Sequence, residues 1–248
     1  MIRIFNNWDA LSRAAAGIFV ESAAHAIHAR GRFSVALSGG STPHRLYELL
    51  AAPPFRGKVA WESVHFFWGD ERCVPEDDPR RNELMARQAL LEHVPVLEEH
   101  IHPISGSLPP REAAQAYESE LRRFFAGRPP ALDLVLLGMG ANAHTASLFP
   151  HTAVLHETRR WAAEVFVAEL DMYRVTLTAP LINQAEQVVF LVSGEDKALT
   201  LQNVLEGAHQ PDELPAQLIQ PNGAHPIWLV DRAAGHKLAV PLESEIED

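Results

Sequence analysis

The apolar positions change period along the chain, and the changes mark the elements. Leu11, Ala15, Ile18, Phe19 and Ile27 recur near helical spacing and predict a packing helix from a capping Asp9 to about Arg30, with Gly31 as its stop. Phe33 to Leu37 is a short apolar run that ends abruptly in Ser38-Gly-Gly-Ser-Thr-Pro43, after which Leu46, Leu49 and Leu50 return to helical spacing. The unit reads strand, glycine loop, helix. The grammar repeats with a strand over Val64 to Trp68 closed by Gly69-Asp-Glu-Arg72, and a helix from Asn82 to Leu91. Leu132 to Leu137, Val175 to Thr178, Val188 to Val192 and Ile227 to Val230 read as further strands, with a helical piece near Leu181 and a helix over Glu195 to Leu205.

Strands that are apolar throughout and alternate with helices predict α/β architecture: a doubly wound, mostly parallel, Rossmann-like sheet with helices on both faces. No linker or repeat period interrupts the pattern, so one α/β domain is expected over residues 1–240. The Pro-rich pieces at Pro53-Pro54, Pro109-Pro110 and Pro129-Pro130 fall between elements as loops, and the acidic tail over 241–248 reads as a frayed end.

The 248 residues carry 21 Lys and Arg against 32 Asp and Glu, a net charge of −11, which argues against nucleic-acid and anionic-membrane partners. With 47% apolar and 21% charged residues, the composition is that of a chain that buries a core. A membrane-spanning helix needs roughly 20 apolar residues, and no stretch approaches that. The first 20 residues lack the form of a secretory signal, and Cys73 is the sole cysteine, so a reducing compartment, the cytoplasm, is expected. The pairs His25/His28 and His100/His102 lack a third metal ligand nearby and read as solvated faces; no metal and no cofactor is expected.

Ligands of open parallel sheets bind beyond the carboxyl ends of the strands, and three polar loops fall there. In Ser38-Gly39-Gly40-Ser41-Thr42-Pro43 the glycines admit a ligand to the backbone, and Pro43 fits the first position of a helix capped by Thr42, whose free amides attract an anion. A tight turn that merely needs glycine would look the same. Gly69-Asp70-Glu71-Arg72 puts charges directly after a buried strand, where unpartnered charges are costly, although a surface salt-bridge cluster also fits. Cys73 beside it has no companion motif for a nucleophile and reads as a spectator thiol. The third loop, Gly138 to Pro150, carries His144, which can exchange protons near neutral pH or serve as a structural hydrogen-bonding residue.

Together the loops resemble the 6-phosphogluconolactonase family, within a group that includes glucosamine-6-phosphate deaminases. The resemblance runs from about Phe33 to Asp231 through Val35 to Pro43, Phe66 to Arg72 with the following Arg80 to Leu91, Leu132 to Gly140 with His144 to Pro150, Arg174 to Asn183, and Ser193 to Gly207. It implies hydrolysis of 6-phosphogluconolactone to 6-phosphogluconate without metal or organic cofactor, in the oxidative pentose phosphate pathway. By resemblance, Ser38, Gly39, Gly40, Ser41, Thr42, Arg174 and Lys197 hold the phosphate, with Gly140 and Asn142 lining the same site. His144 is the implied general base, Arg72 anchors phosphate or the oxyanion, and Asp70 orients the imidazole or bonds a sugar hydroxyl. The partner implied is the small sugar-phosphate lactone, and the chain is expected to act as a monomer or weak homo-oligomer.

Relatives usually read Asp-Gly-His where this chain reads Asn142-Ala143-His144; Asn keeps the hydrogen bonding without the charge, and Ala143 calls for ordinary backbone angles. A deaminase reading meets Asn142 in place of an acid and Phe149 in place of the Glu that the deaminase pattern carries. A non-catalytic sugar-phosphate sensor is the reading from another class; it would normally carry a DNA-binding helix pair with a basic face, which is not expected of an acidic chain that begins its core almost at once. A serine esterase would need a Gly-x-Ser-x-Gly elbow, which Ser147 does not provide.

Overall fold

The computed structural model describes residues 1–223 and 225–239, so the acidic tail expected over 241–248 lies outside the described residues. Six strands form one wholly parallel sheet: β1 (Ile2–Phe5), β2 (Phe33–Leu37), β3 (Val64–Trp68), β5 (Leu134–Gly138), β8 (Val188–Val192) and β9 (Ile227–Asp231), in the order β1-β9-β8-β5-β2-β3. Every residue of β2 and β8 is buried, which requires cover on both faces and explains why these strands read as unbroken apolar runs. The sheet continues directly from β3 through Gly69 into β4 (Asp70–Arg72), the edge of a second, antiparallel sheet with β7 (Met172–Leu177) and β6 (Ala162–Val167).

Helix α1 (Trp8–Arg30) packs on α2 (Ser41–Ala51), which in turn packs on α3 (Asn82–Ala89), while α4 (Pro110–Phe124) covers β6 and β7. The short helices α5 (Ala179–Ile182) and α7 (Arg232–Gly235) and the helix α6 (Ala198–Glu206) complete the chain, with α6 against α7. From β2 the chain moves outward on one side to β3 and later places β5 on the other, so strand order reverses between β2 and β5. Their carboxyl ends flank the crevice where such sheets bind ligands.

Several expectations are corrected. Asn7, not Asp9, caps α1: its side chain accepts from Ala10 N–H at 2.9 Å, while Asp9 faces Arg13 and Arg45. Helix α2 begins at Ser41 after Gly40, so Pro43 lies within the first turn and Thr42 does not cap it. Gly69-Asp70-Glu71-Arg72 is not a surface loop, because Asp70 to Arg72 pair antiparallel with Arg174 to Thr176. The run at Val175 to Thr178 therefore belongs to the second sheet and not to the parallel one. Pro110 starts α4 instead of sitting in a loop, as its fixed φ permits at a first helical turn. The strands β1 and β6 and the helix α4 were not expected. Finally, His25 and His28 are exposed, but His100 and His102 are not a solvated face: His102 N–H donates to Phe66 O at 2.8 Å and its ring stacks on Phe67, because this segment covers the edge of β3.

Candidate active site

The β2 turn brings Ser38 to the crevice, where Ser38 N–H donates to Tyr47 Oη at 3.0 Å and Tyr47 O–H donates back to Ser38 O at 2.8 Å. This pair fixes the loop against α2. Gly39 is obligatory for a steric reason: a Cβ there would collide with Asn82 Oδ1 at the start of α3. Gly40 has φ 104°, open to glycine and strained for other residues, and it turns the chain into α2 so that free amides at that helix end face outward.

The acids after β3 divide into two roles. Glu71 is buried and satisfied: its carboxylate accepts from Arg72, Asn82 and Glu83 N–H groups at 2.8 to 2.9 Å, capping α3. Burial pushes its carboxyl above the usual range against those bonds. Asp70, also buried, accepts from Ser147 Oγ at 2.6 Å, Arg174 Nη1 at 3.4 Å and Asn82 Nδ2 at 3.3 Å. No hydrogen bond joins it to His144; the side chain bonded to the imidazole is that of Asn142.

Asn142 Oδ1 lies 2.6 Å from His144 Nδ1 and also accepts the His144 N–H at 3.3 Å. An oxygen that takes both bonds places the imidazole proton on Nδ1 and leaves Nε2 with its lone pair. The loop is pulled tight by Gly140 N–H to His144 O at 2.8 Å, and a Cβ on Gly140 would collide with His144 Cε1 and Nδ1. Ala143 is buried with φ 62°, contrary to the ordinary angles expected of it, so the turn keeps a left-handed geometry at a cost of about 1–2 kcal/mol for a residue with a Cβ. It is held by Ala143 N–H to Gly140 O and Ala216 N–H to Ala143 O, both 3.0 Å.

The Phe149 ring stacks on the imidazole at 4.1 Å, and the Arg174 guanidinium lies 5.4 Å from the same ring. Burial holds the His144 pKa down at about 4, aided by the charges of Arg174, Lys197 and Arg72 and opposed by Asp70. The histidine is a neutral base among cations at neutral pH. Arg174 faces Arg72 across the β4–β7 pair, and burial lowers its pKa as well. Lys197, near the start of α6, pairs with Asp196 at 2.7 Å, and Thr200 Oγ–H donates to Ala141 O at 2.6 Å to tie that helix to the histidine loop.

Four buried polar atoms on these residues have no protein partner among the described residues: Ser38 Oγ, Arg72 Nε, Asn82 Oδ1 and Arg174 Nε. Such atoms are costly unless water or a ligand completes them. The fold thus gathers His144, Asn142 and Gly140 with Arg174, Arg72, Asp70 and Lys197, and Asn82, packed close to Gly39, donates to Asp70. Asn82 and Ser147 were not foreseen; both sit inside stretches that carry the resemblance, but neither type signals function alone. Burial pushes the Cys73 thiol up to about 11, so it is no nucleophile at neutral pH. Among the described residues, no group of three or more His, Cys, Asp or Glu is arranged to hold a metal.

Comparison with known proteins identifies the family. Residues 6–228 match the family described as glucosamine-6-phosphate isomerases/6-phosphogluconolactonase. The chain is 47% identical over 218 residues to a 6-phosphogluconolactonase of Synechocystis, covering 86% of this chain and 88% of that one. It is 36% identical to the human 6-phosphogluconolactonase over 98% of this chain and 95% of the other. Among solved structures, 6-phosphogluconolactonase from Trypanosoma cruzi aligns with a TM-score of 0.84 at 28% identity, covering 96% of this chain and 97% of that one. A monomeric glucosamine-6-phosphate deaminase shares the fold, with a TM-score of 0.81 at 21% identity over 95% of this chain and 99% of that one. The chain belongs to the family of glucosamine-6-phosphate isomerases and 6-phosphogluconolactonases.

Proposed function

We propose that the chain hydrolyses 6-phospho-D-glucono-1,5-lactone to 6-phosphogluconate, the ring-opening step of the oxidative pentose phosphate pathway, with His144 as the base that activates water. The observation that carries the reading is the neutral imidazole with its Nε2 free, set among Arg72, Arg174 and Lys197. The cations and the amides at the start of α2 suit a phosphate dianion, and a local basic pocket overrides the overall charge of −11.

In this mechanism the phosphate rests on Ser38 to Thr42, Arg174 and Lys197, which brings the lactone carbonyl toward His144. Nε2 takes a proton from water as the oxygen attacks the carbonyl carbon, while Nδ1–H stays bonded to Asn142. Arg72 stabilises the tetrahedral oxyanion. The oxyanion collapses, the bond from the carbonyl carbon to the ring oxygen breaks, and the imidazolium returns its proton to that oxygen. The deaminase alternative finds an amide and Phe149 where it needs acids.

We place the reaction in the cytoplasm, where Cys73 stays a free thiol, and infer that the chain acts as a monomer or weak homo-oligomer toward a small-molecule partner. No helix among the described residues is long and apolar enough to cross a membrane. The test is hydrolysis of freshly generated 6-phosphogluconolactone with spontaneous opening subtracted, beside unphosphorylated gluconolactone. Acceleration confined to the phosphorylated lactone is the expected result; a folded protein that binds it without turnover would favour the sensor.

A further inference from the structure

Arg174 is held in an unusual way for a buried cation. Its Nη1 lies 3.4 Å from Asp70 Oδ2, whereas a charge-assisted bond of this kind ordinarily spans about 2.7–2.9 Å. The same carboxylate oxygen is taken at 2.6 Å by Ser147 Oγ, a fully buried hydroxyl. Asn82 Nδ2 occupies Oδ1 at 3.3 Å. Arg174 Nε, although buried, has no protein partner among the described residues. Ser147 belongs to the loop that carries His144, and its N–H donates to Thr176 Oγ1 at 3.1 Å, two residues along β7 from Arg174. One serine thus touches the acid that faces the arginine and the strand that bears it.

We propose that Ser147 is a positioning residue for anion binding: its hydroxyl holds the Asp70 carboxylate away from Arg174 and leaves that guanidinium free for the substrate phosphate. The inference rests on the assignment of Arg174 to the phosphate. Without the hydroxyl, Asp70 Oδ2 loses its shortest bond, and Arg174 is the cation in position to replace it. The tightened pair then competes with the phosphate for the same guanidinium.

The measurements are KM and kcat for the phosphorylated lactone and the Ki of inorganic phosphate as a competitive inhibitor. Ser147→Ala is expected to raise KM and Ki about tenfold, the worth of one charged hydrogen bond, with kcat changed far less and the thermal midpoint nearly kept. Ser147→Cys, close in size with a weaker donor, moves both constants in the same direction and serves if the alanine variant does not fold. On an Arg174→Gln background, which itself raises KM and Ki, Ser147→Ala is expected to add nothing. A fall in kcat and thermal midpoint with KM and Ki unchanged would overturn the proposal, leaving Ser147 a merely structural residue. Should Arg174→Gln raise KM and Ki while neither Ser147 variant does, the Ser147 proposal fails alone; should Arg174→Gln itself change neither constant, the phosphate assignment fails with it.

Discussion

His144 and His65 are both partly buried, and burial is the leading cause that holds their pKa values down, at about 4 and about 3. Their company differs. His65 sits at the amino end of β3, its Nδ1 3.1 Å from His102 Nε2, its ring 3.8 Å from that of His100 and 4.9 Å from that of Phe124. His102 Nδ1 is bonded in turn to Glu120 at 2.8 Å. His144 follows the carboxyl end of β5 with one ring nitrogen bonded to Asn142, the other left over, and three cations close enough to depress its basicity. A lowered histidine pKa therefore does not mark a site in this fold. The free lone pair, the surrounding cations and the position beside the reversal of strand order do.

The comparison breaks most directly at His144. His144→Ala is expected to lower kcat by about 10²- to 10⁴-fold once spontaneous opening is subtracted, whereas His65→Phe leaves the rate at pH 7 unchanged. Gly140→Ala comes next. A methyl there displaces the imidazole, and a misplacement near 1 Å costs about 100-fold, so kcat falls while the thermal midpoint, read by calorimetry, holds.

Asn142→Asp sharpens the contrast without removing a group. A carboxylate beside Nδ1 favours the imidazolium, so the acid limb of kcat/KM, which follows the free enzyme's base, moves up in pH from its position near 4. The smallest effect belongs to the far cluster. Between roughly pH 6.5 and 3 the unfolded chain binds protons that folded His65 and His102 refuse, so folding stability falls as pH falls. His65→Phe is expected to flatten that fall, measured as urea midpoints at pH 7 and pH 5.

Five of the six strands of the parallel sheet were legible because burial on both faces makes them continuous apolar runs, as β2 and β8 show, whereas the half-buried edge strand β1 was missed. Of the second sheet only the Val175 to Thr178 run was legible, and not its pairing. Asp70-Glu71-Arg72 has no apolar pattern, and only pairing with Arg174 to Thr176 makes it a strand. Helix α4 did carry a signal in Ala113, Tyr117 and Leu121 at four-residue spacing, hidden among charged residues. Motif resemblance brought out His144, Arg174 and Lys197, but roles depended on contacts between distant segments. Nothing in the order of residues says that Asn142 and not Asp70 is bonded to the imidazole, that Glu71 caps a helix 11 residues later, or that Ala143 adopts a glycine-like φ.

The central claim, that neutral His144 is the base, is tested most directly by kcat/KM for 6-phosphogluconolactone against pH in the wild-type protein and in Asn142→Asp, with His144→Ala as the blank. The account predicts an acid limb near pH 4 in the wild type, a higher limb in Asn142→Asp, and no protein-dependent limb in His144→Ala. An unchanged rate and limb in His144→Ala would contradict it.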